Sequence, residues 1–187
     1  VGVDLVDSAY LKMRMLSSGW VGARTEEGGE RVELVLGENP KMDALVEILR
    51  EIDDQEKVIV IGWFNKSVEL ILERLKKEKI GCTSVYGKTP SARKSANLNS
   101  WMRDPKLRVL VASNSVALGV NLQSGGRYMV FFESPDSQIM RRQLEARIRR
   151  EGGIVGTRYY YDLCSRKTVD EKILESLRTG KDLHELI

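Results

Sequence analysis

The sequence predicts an α/β fold, a parallel sheet with helices on both faces, and three observations carry that prediction. From Pro40 onward, short apolar runs alternate with amphipathic helical stretches, the order that produces βαβ units. Within the run Lys57–Ile61, Val58–Ile61 are apolar at successive positions rather than at every second one, as strands covered on both faces are. The chain has 187 residues, 42% of them hydrophobic and 30% charged, enough for one core but not for two full domains.

Residues 1–39 hold glycines at 19, 22, 28 and 29 and scattered charge around Leu11–Leu16, which predicts a helix and a loose connector, peripheral to the main lobe and belonging to a preceding one. The main lobe is expected over 40–187. Met42, Leu45, Val46, Leu49 and Ile52 recur at helical spacing before the Lys57–Ile61 strand, and Val68, Ile71, Leu72 and Leu75 share a side of a helix over Ser67–Glu78. Gly81 is expected to end that helix ahead of a strand at Cys82–Tyr86. A helix at Ser91–Met102, strands at Leu107–Ala112 and Tyr128–Phe132, a long helix at Asp136–Arg150 and a strand at Tyr159–Leu163 come next. Val169, Ile173, Leu174 and Leu177 form the apolar face of a helix over Val169–Leu177, with a second short helical piece to Ile187.

Composition removes several function classes. His184 is the single histidine and lies beside the C-terminus, which leaves no Ser-His-Asp triad, Cys-His pair or zinc set. Cys82 and Cys164 are far apart, each within an apolar segment, and read as buried thiols of a reduced compartment. The apolar run from Val58 to Phe64 is too short to span a bilayer and no charged leader precedes an apolar stretch. No membrane partner is expected, and the cytoplasm, or the nucleus in a eukaryote, is the expected location. The net charge of +3 is too small to argue for nucleic acid by itself. Its distribution says more: Arg141, Arg142, Arg147, Arg149 and Arg150 cluster on one segment. The chain begins with Val and without a recognisable domain start, and reads as an excised piece.

Open parallel sheets bind ligands at the carboxyl ends of their strands. Gly87-Lys88-Thr89 looks like the end of a phosphate-binding loop, but Cys82 stands where its first glycine is required, so it reads as a turn with Pro90 opening the next helix. Leu110–Gln123 (LVASNSVALGVNLQ) offers Ser113, Asn114, Gly119 and Asn121 after a strand, small polar groups and free N–H donors suited to phosphate or sugar oxygens. On the long helix, Gln143, Arg147 and Arg150 fall on one narrow face beside an apolar stripe of Met140, Leu144 and Ile148. Two guanidiniums a turn apart repel unless an anion or a carboxylate sits between them. A triphosphate would satisfy them, as would Glu145 and Glu151 on a solvated basic face.

The order and spacing of these pieces resemble the C-terminal helicase lobe of superfamily 2, and within it the Snf2 family of DNA translocases. KVIVIGWFNKSVELILERL resembles that family's motif IV strand and helix, and IGCTSVYGKTPSARKSANLNSW its next strand, glycine and helix-borne arginine, Gly87 and Arg93. SNSVALGVNLQ is similar to motif V, and FFESPDSQIMRRQLEARIRREG to the stretch through motif VI with Gln143, Arg147 and Arg150 in register. Ala146, Arg149, Glu133 and Gly153 depart from the usual glycine, histidine, aspartate and glutamine.

The resemblance implies a RecA-like second helicase lobe, half of an ATP-hydrolysing cleft. Arg147 and Arg150 would be arginine fingers oriented by Gln143, and Gly119 and Asn121 would approach the ribose of ATP. Ser113, Asn114, Phe64, Asn65, Lys66, Gly87 and Lys88 would hold DNA phosphates. ATP and Mg²⁺ would be bound mainly by an N-terminal RecA-like lobe of the same protein, so the chain alone is expected to be inactive. DNA is the implied partner, double-stranded and without sequence preference. A superfamily 2 RNA helicase lobe and a degenerate RecA-like interaction module without catalysis are the competing readings.

Overall fold

The computed structural model describes residues 2–24, 31–117, 119, 122, 125–149, 156–183 and 186. Its elements run α1 (Gly2–Ser17), β1 (Trp20–Arg24), β2 (Arg31–Val35), α2 (Pro40–Glu51), β3 (Val58–Gly62), α3 (Asn65–Lys77), β4 (Cys82–Val85), α4 (Ser91–Arg103), β5 (Val109–Ser113), α5 (Asn114–Ala117), β6 (Tyr128–Phe131), α6 (Gln138–Arg149), β7 (Tyr159–Asp162) and α7 (Val169–Thr179). The five strands from β3 onward form one sheet in the order β4-β5-β3-β6-β7. Every pairing in it is parallel, as the alternation of strands and helices predicts.

The uninterrupted apolar strands have a direct reason. β3 is central, and its side chains divide between two cores. Val58 and Val60 meet Leu45 and Leu49 of α2 and Ile71 and Leu75 of α3. Ile59 and Ile61 meet Trp101 of α4 and Leu144 and Ile148 of α6 on the opposite face. The sheet is therefore covered on both sides, and its inner strands β3 and β5 have no polar face to show.

Local chemistry sets the ends. Asn39 caps α2 by accepting the Met42 N–H at 3.1 Å, with Pro40 at the first turn. Thr168 caps α7 through the Asp170 N–H, and Gly180 closes that helix in the left-handed region at φ 77°. The end of α3 differs from expectation. Lys79, not Gly81, takes the left-handed conformation, at φ 58°. Gly81 is required for a different reason: a Cβ there would lie 1.7 Å from the Lys106 carbonyl oxygen.

Residues 2–24 and 31–39, within the segment expected to be a peripheral helix and connector, make several side-chain contacts with the main lobe. α1 is followed by a β1–β2 antiparallel hairpin that the sequence pattern does not predict. Leu34 and Val35 are both exposed, so no buried face imposes alternation on β2. Arg14 and Trp20 are buried against the main lobe, and Asn39 donates to the Ser18 carbonyl at 2.9 Å. Ser17 Oγ donates to Asp170 at 3.0 Å, tying the end of α1 to α7. The cysteines also differ from expectation. Cys82 is half-buried and Cys164 is exposed, because Cys164 lies beyond the sheet's edge strand β7. The short helical piece expected up to Ile187 includes residues 184, 185 and 187, outside the described residues.

Candidate nucleotide and nucleic-acid site

Five segments leave the carboxyl edge of the sheet, and the candidate residues sit on four of them. After β3, Trp63 and Phe64 lead into α3. Phe64 has no side-chain cap to offer. The cap comes from across the sheet, where the buried carboxylate of Glu133, after β6, accepts the Trp63 N–H at 2.5 Å, the Phe64 N–H at 3.2 Å and the Ser67 hydroxyl at 2.7 Å. A carboxylate bonded to the N–H groups just ahead of α3 also lies near the positive end of its dipole.

That arrangement decides what each candidate phosphate ligand can present. The Phe64 ring packs edge-on against Trp20 at 5.4 Å between centroids. Asn65 is exposed at the start of α3, and Lys66 pairs with Glu33 of β2 at 3.3 Å. After β4, Gly87 approaches Asn65 so closely that a Cβ would lie 3.0 Å from its Oδ1. Lys88 is exposed and pairs with Glu69 of α3 at 2.7 Å, which raises its pKa. The structure thus brings Phe64–Lys66 and Gly87–Lys88 onto one surface, with both lysines engaged by carboxylates.

Ser113 and Asn114 end β5 and begin α5, beside β3, with Gly62 opposite Ser113 in register. They are 3% and 4% exposed, and the Ser113 hydroxyl and both polar atoms of the Asn114 amide lack partners among the described residues. They are enclosed rather than displayed on the surface. Gly119 is exposed in a turn, and Asn121 lies outside the described residues.

On α6, Gln143 is exposed and Arg147 half-buried, while Arg150 lies outside the described residues. Arg147 has no hydrogen bond or ion pair among the described residues. Its neighbours are engaged. Glu145 accepts from Arg141 Nε at 2.8 Å and from Arg149 at 3.4 Å. Arg149 also bonds the Tyr160 hydroxyl, the main cause of its raised pKa. The counterion available within α6 is therefore held away from Arg147.

Several residues that build this edge are not evident from sequence pattern. Arg14 of α1 donates to the Ser134 carbonyl at 2.8 Å and to Asp136 at 3.3 Å, and covers the Trp63 ring at 4.2 Å. Tyr10 donates to the same Asp136 oxygen at 3.0 Å, and burial drives its phenol pKa well above the ordinary value. The spacing of Tyr10 and Arg14, one helical turn, is the sequence signal that could have found them. No group of three or more His, Cys, Asp or Glu side chains able to hold a metal ion occurs among the described residues. No described helix is long and apolar enough to cross a membrane.

The profile of the helicase conserved C-terminal domain matches residues 40–152. The chain belongs to that family. The lobe is 30% identical over 134 residues to the ATP-dependent RNA helicase DDX4 of Mus musculus, covering 72% of this chain and 18% of that protein. It is 25% identical over 148 residues to the DNA repair and recombination protein RAD54B of Gallus gallus, covering 76% of this chain and 16% of that one. The helicase lobe thus spans under a fifth of the length of these curated relatives. Among solved structures, the C-terminal part of the Fun30 ATPase domain superposes with a TM-score of 0.69 at 22% identity, covering 77% of this chain and 46% of that one. That likeness confirms the RecA-like α/β fold of the lobe. Both the Snf2-type and the RNA helicase branches of superfamily 2 are represented among its relatives.

Proposed function

We propose that the lobe serves an ATP-driven, Snf2-type DNA translocase, completing a nucleotide site whose Walker lysine and Mg²⁺ ligands lie on another lobe of the same protein. The observation that carries this reading is the Arg147 guanidinium, without a hydrogen bond or ion pair among the described residues, beside an exposed Gln143 on a helix whose other described inward arginine is paired. A half-buried charge that no described carboxylate neutralises is costly to the lobe alone, and an anion arriving in trans relieves that cost. The side chains present suit a phosphate, and they do not suit the metal.

ATP with Mg²⁺ supplies the transferable γ-phosphoryl group, and water takes it. Within this lobe, Arg147 and Arg150 donate N–H bonds to the γ-phosphate oxygens as charge builds there, and Gln143 orients them; effects of this kind are worth about 10³ to 10⁵ in rate in other NTPases. Gly119 and Asn121 face the ribose. Asn65, Lys66, Gly87 and Lys88 track phosphates of duplex DNA without reading bases, and the buried Ser113 and Asn114 join them only if they become exposed. The test is DNA-stimulated phosphate release by the full-length protein. Arg147→Ala should lower kcat by about 10²-fold or more, Arg142→Ala should not, and an unchanged Arg147→Ala rate would overturn the reading.

The DDX4 similarity favours a second reading, an RNA helicase lobe. Stimulation of hydrolysis by single-stranded RNA and not by duplex DNA would establish it in place of the first.

A further inference from the structure

Arg141 is not where a solvated helix arginine belongs. Its side chain is only 12% exposed, and its guanidinium carbon lies 3.7 Å from the centroid of the Phe131 ring. It donates to both carboxylate oxygens of Asp162, at 3.0 Å for Nη2 to Oδ2 and by a close approach of Nη1 to Oδ1. Ser134 Oγ donates to the same Asp162 Oδ1 at 2.5 Å. Phe131 is the last residue of β6 and Asp162 the last of β7, and the two are register partners. One guanidinium thus spans the ends of two neighbouring strands at the carboxyl edge of the sheet.

We infer that Arg141 is a positioning residue, fixing the rotation and depth of α6 so that Gln143 and Arg147 stand at the nucleotide. This rests on the function proposed above. Arg141 does not reach that face itself, since residues six apart on a helix lie about 120° from each other around the axis. It acts by holding the first turn of α6 on the sheet. Leu144 and Ile148 are buried below the helix, but apolar contacts alone permit sliding and rotation, whereas a planar fork bonded to both oxygens of one carboxylate fixes direction. Arg141 also occupies Glu145, which lies about 200° around the helix from Arg147. Burial opposes the Arg141 charge, but Asp162 and Glu145 more than offset it and raise its pKa. The charge therefore stays on at any working pH.

The test compares Arg141→Gln, Arg141→Lys, Arg147→Ala and the double variant Arg141→Gln/Arg147→Ala in the full-length protein, and follows the Arg147 Nε resonance in this chain. Arg141→Gln should lower kcat by about tenfold or more with less than about a twofold change in KM for ATP, and Arg141→Lys should recover little of it. The double variant should be no slower than Arg147→Ala alone, because a residue that acts only through Arg147 has nothing left to position. The Arg147 Nε signal should shift or broaden in Arg141→Gln and stay unchanged in Arg142→Gln. Where Arg141→Gln loses its cooperative unfolding transition, Asp162→Asn breaks the same link with the same expected outcomes. Additive losses in the double variant, full recovery by lysine, or an unmoved Arg147 signal would overturn the positioning role. If Arg147→Ala itself leaves kcat intact, the nucleotide-site reading fails and this inference with it; if Arg147→Ala is impaired but Arg141→Gln is not, only the inference fails.

Discussion

Arg14 lies over Trp63, its guanidinium carbon 4.2 Å from the ring centroid, and this contact ties a helix outside the conserved domain to the loop that opens α3. The same guanidinium bonds Ser134 and Asp136 after β6. Arg14 is 2% exposed, so removing it leaves the Asp136 carboxylate without its cation and a void against indole. Arg14→Ala should cost about 3 kcal/mol, within the range for breaking a buried pair. A urea midpoint for Arg14→Ala equal to that of the parent chain would show that α1 is merely appended.

Glu133 is the cap of α3. Glu133→Gln keeps the shape and loses the charge-assisted bonds to the Trp63 and Phe64 N–H groups, for an expected cost of about 1.5 to 3 kcal/mol. The loss should be local at first. Hydrogen exchange at the first turn of α3 should quicken more than exchange in β3, and uniform acceleration across the sheet would contradict the capping role.

On the proposed DNA path, Lys66 and Lys88 would have to exchange Glu33 and Glu69 for phosphates. Glu33→Gln and Glu69→Gln should therefore strengthen binding to duplex DNA of any sequence. Lys66→Gln and Lys88→Gln should weaken it, each reducing the slope of log affinity against log salt by about 0.9 for every phosphate it no longer neutralises. A salt slope that none of the four substitutions alters would remove this surface from the DNA path.

Gly81→Ala places a methyl group 1.7 Å from the Lys106 carbonyl oxygen. The backbone between α4 and β5 must move to admit it, and overpacking of this kind costs about 1 to 3 kcal/mol. Thermal unfolding of the variant at the parent midpoint would show that the two segments are not held together.

The chain by itself is expected to release no phosphate from ATP, because no phosphate-binding loop is legible in its sequence and, in the proposed function, the arginine face acts on a nucleotide held elsewhere. Steady turnover by purified chain, abolished by Arg147→Ala, would contradict this.

Much of the architecture was legible because burial constrains it. Runs such as Val58–Ile61 have no polar face, and only a strand covered on both sides tolerates that. The periods of α2, α3, α4, α6 and α7 were likewise visible, since each must bury one face while exposing the other. The β1–β2 hairpin was not legible, because Leu34 and Val35 are exposed and the strands lack the alternation that a core imposes.

The sequence by itself determined the fold class, the order along the chain of the five strands of the parallel sheet, and which side of α6 carries Gln143 and Arg147, since these follow from periodicities that depend on neighbouring residues alone. Only the tertiary structure decided which charges are free. Arg141, Arg147 and Arg149 occupy one helix and are chemically the same residue, yet Arg141 is held by Asp162 and Phe131, Arg149 by Tyr160 and Glu145, and Arg147 has no partner among the described residues. Asp162 lies 21 positions from Arg141 and Asp136 lies 122 from Arg14. The energy of an ion pair depends on distance and burial in space, and sequence separation carries no information about either.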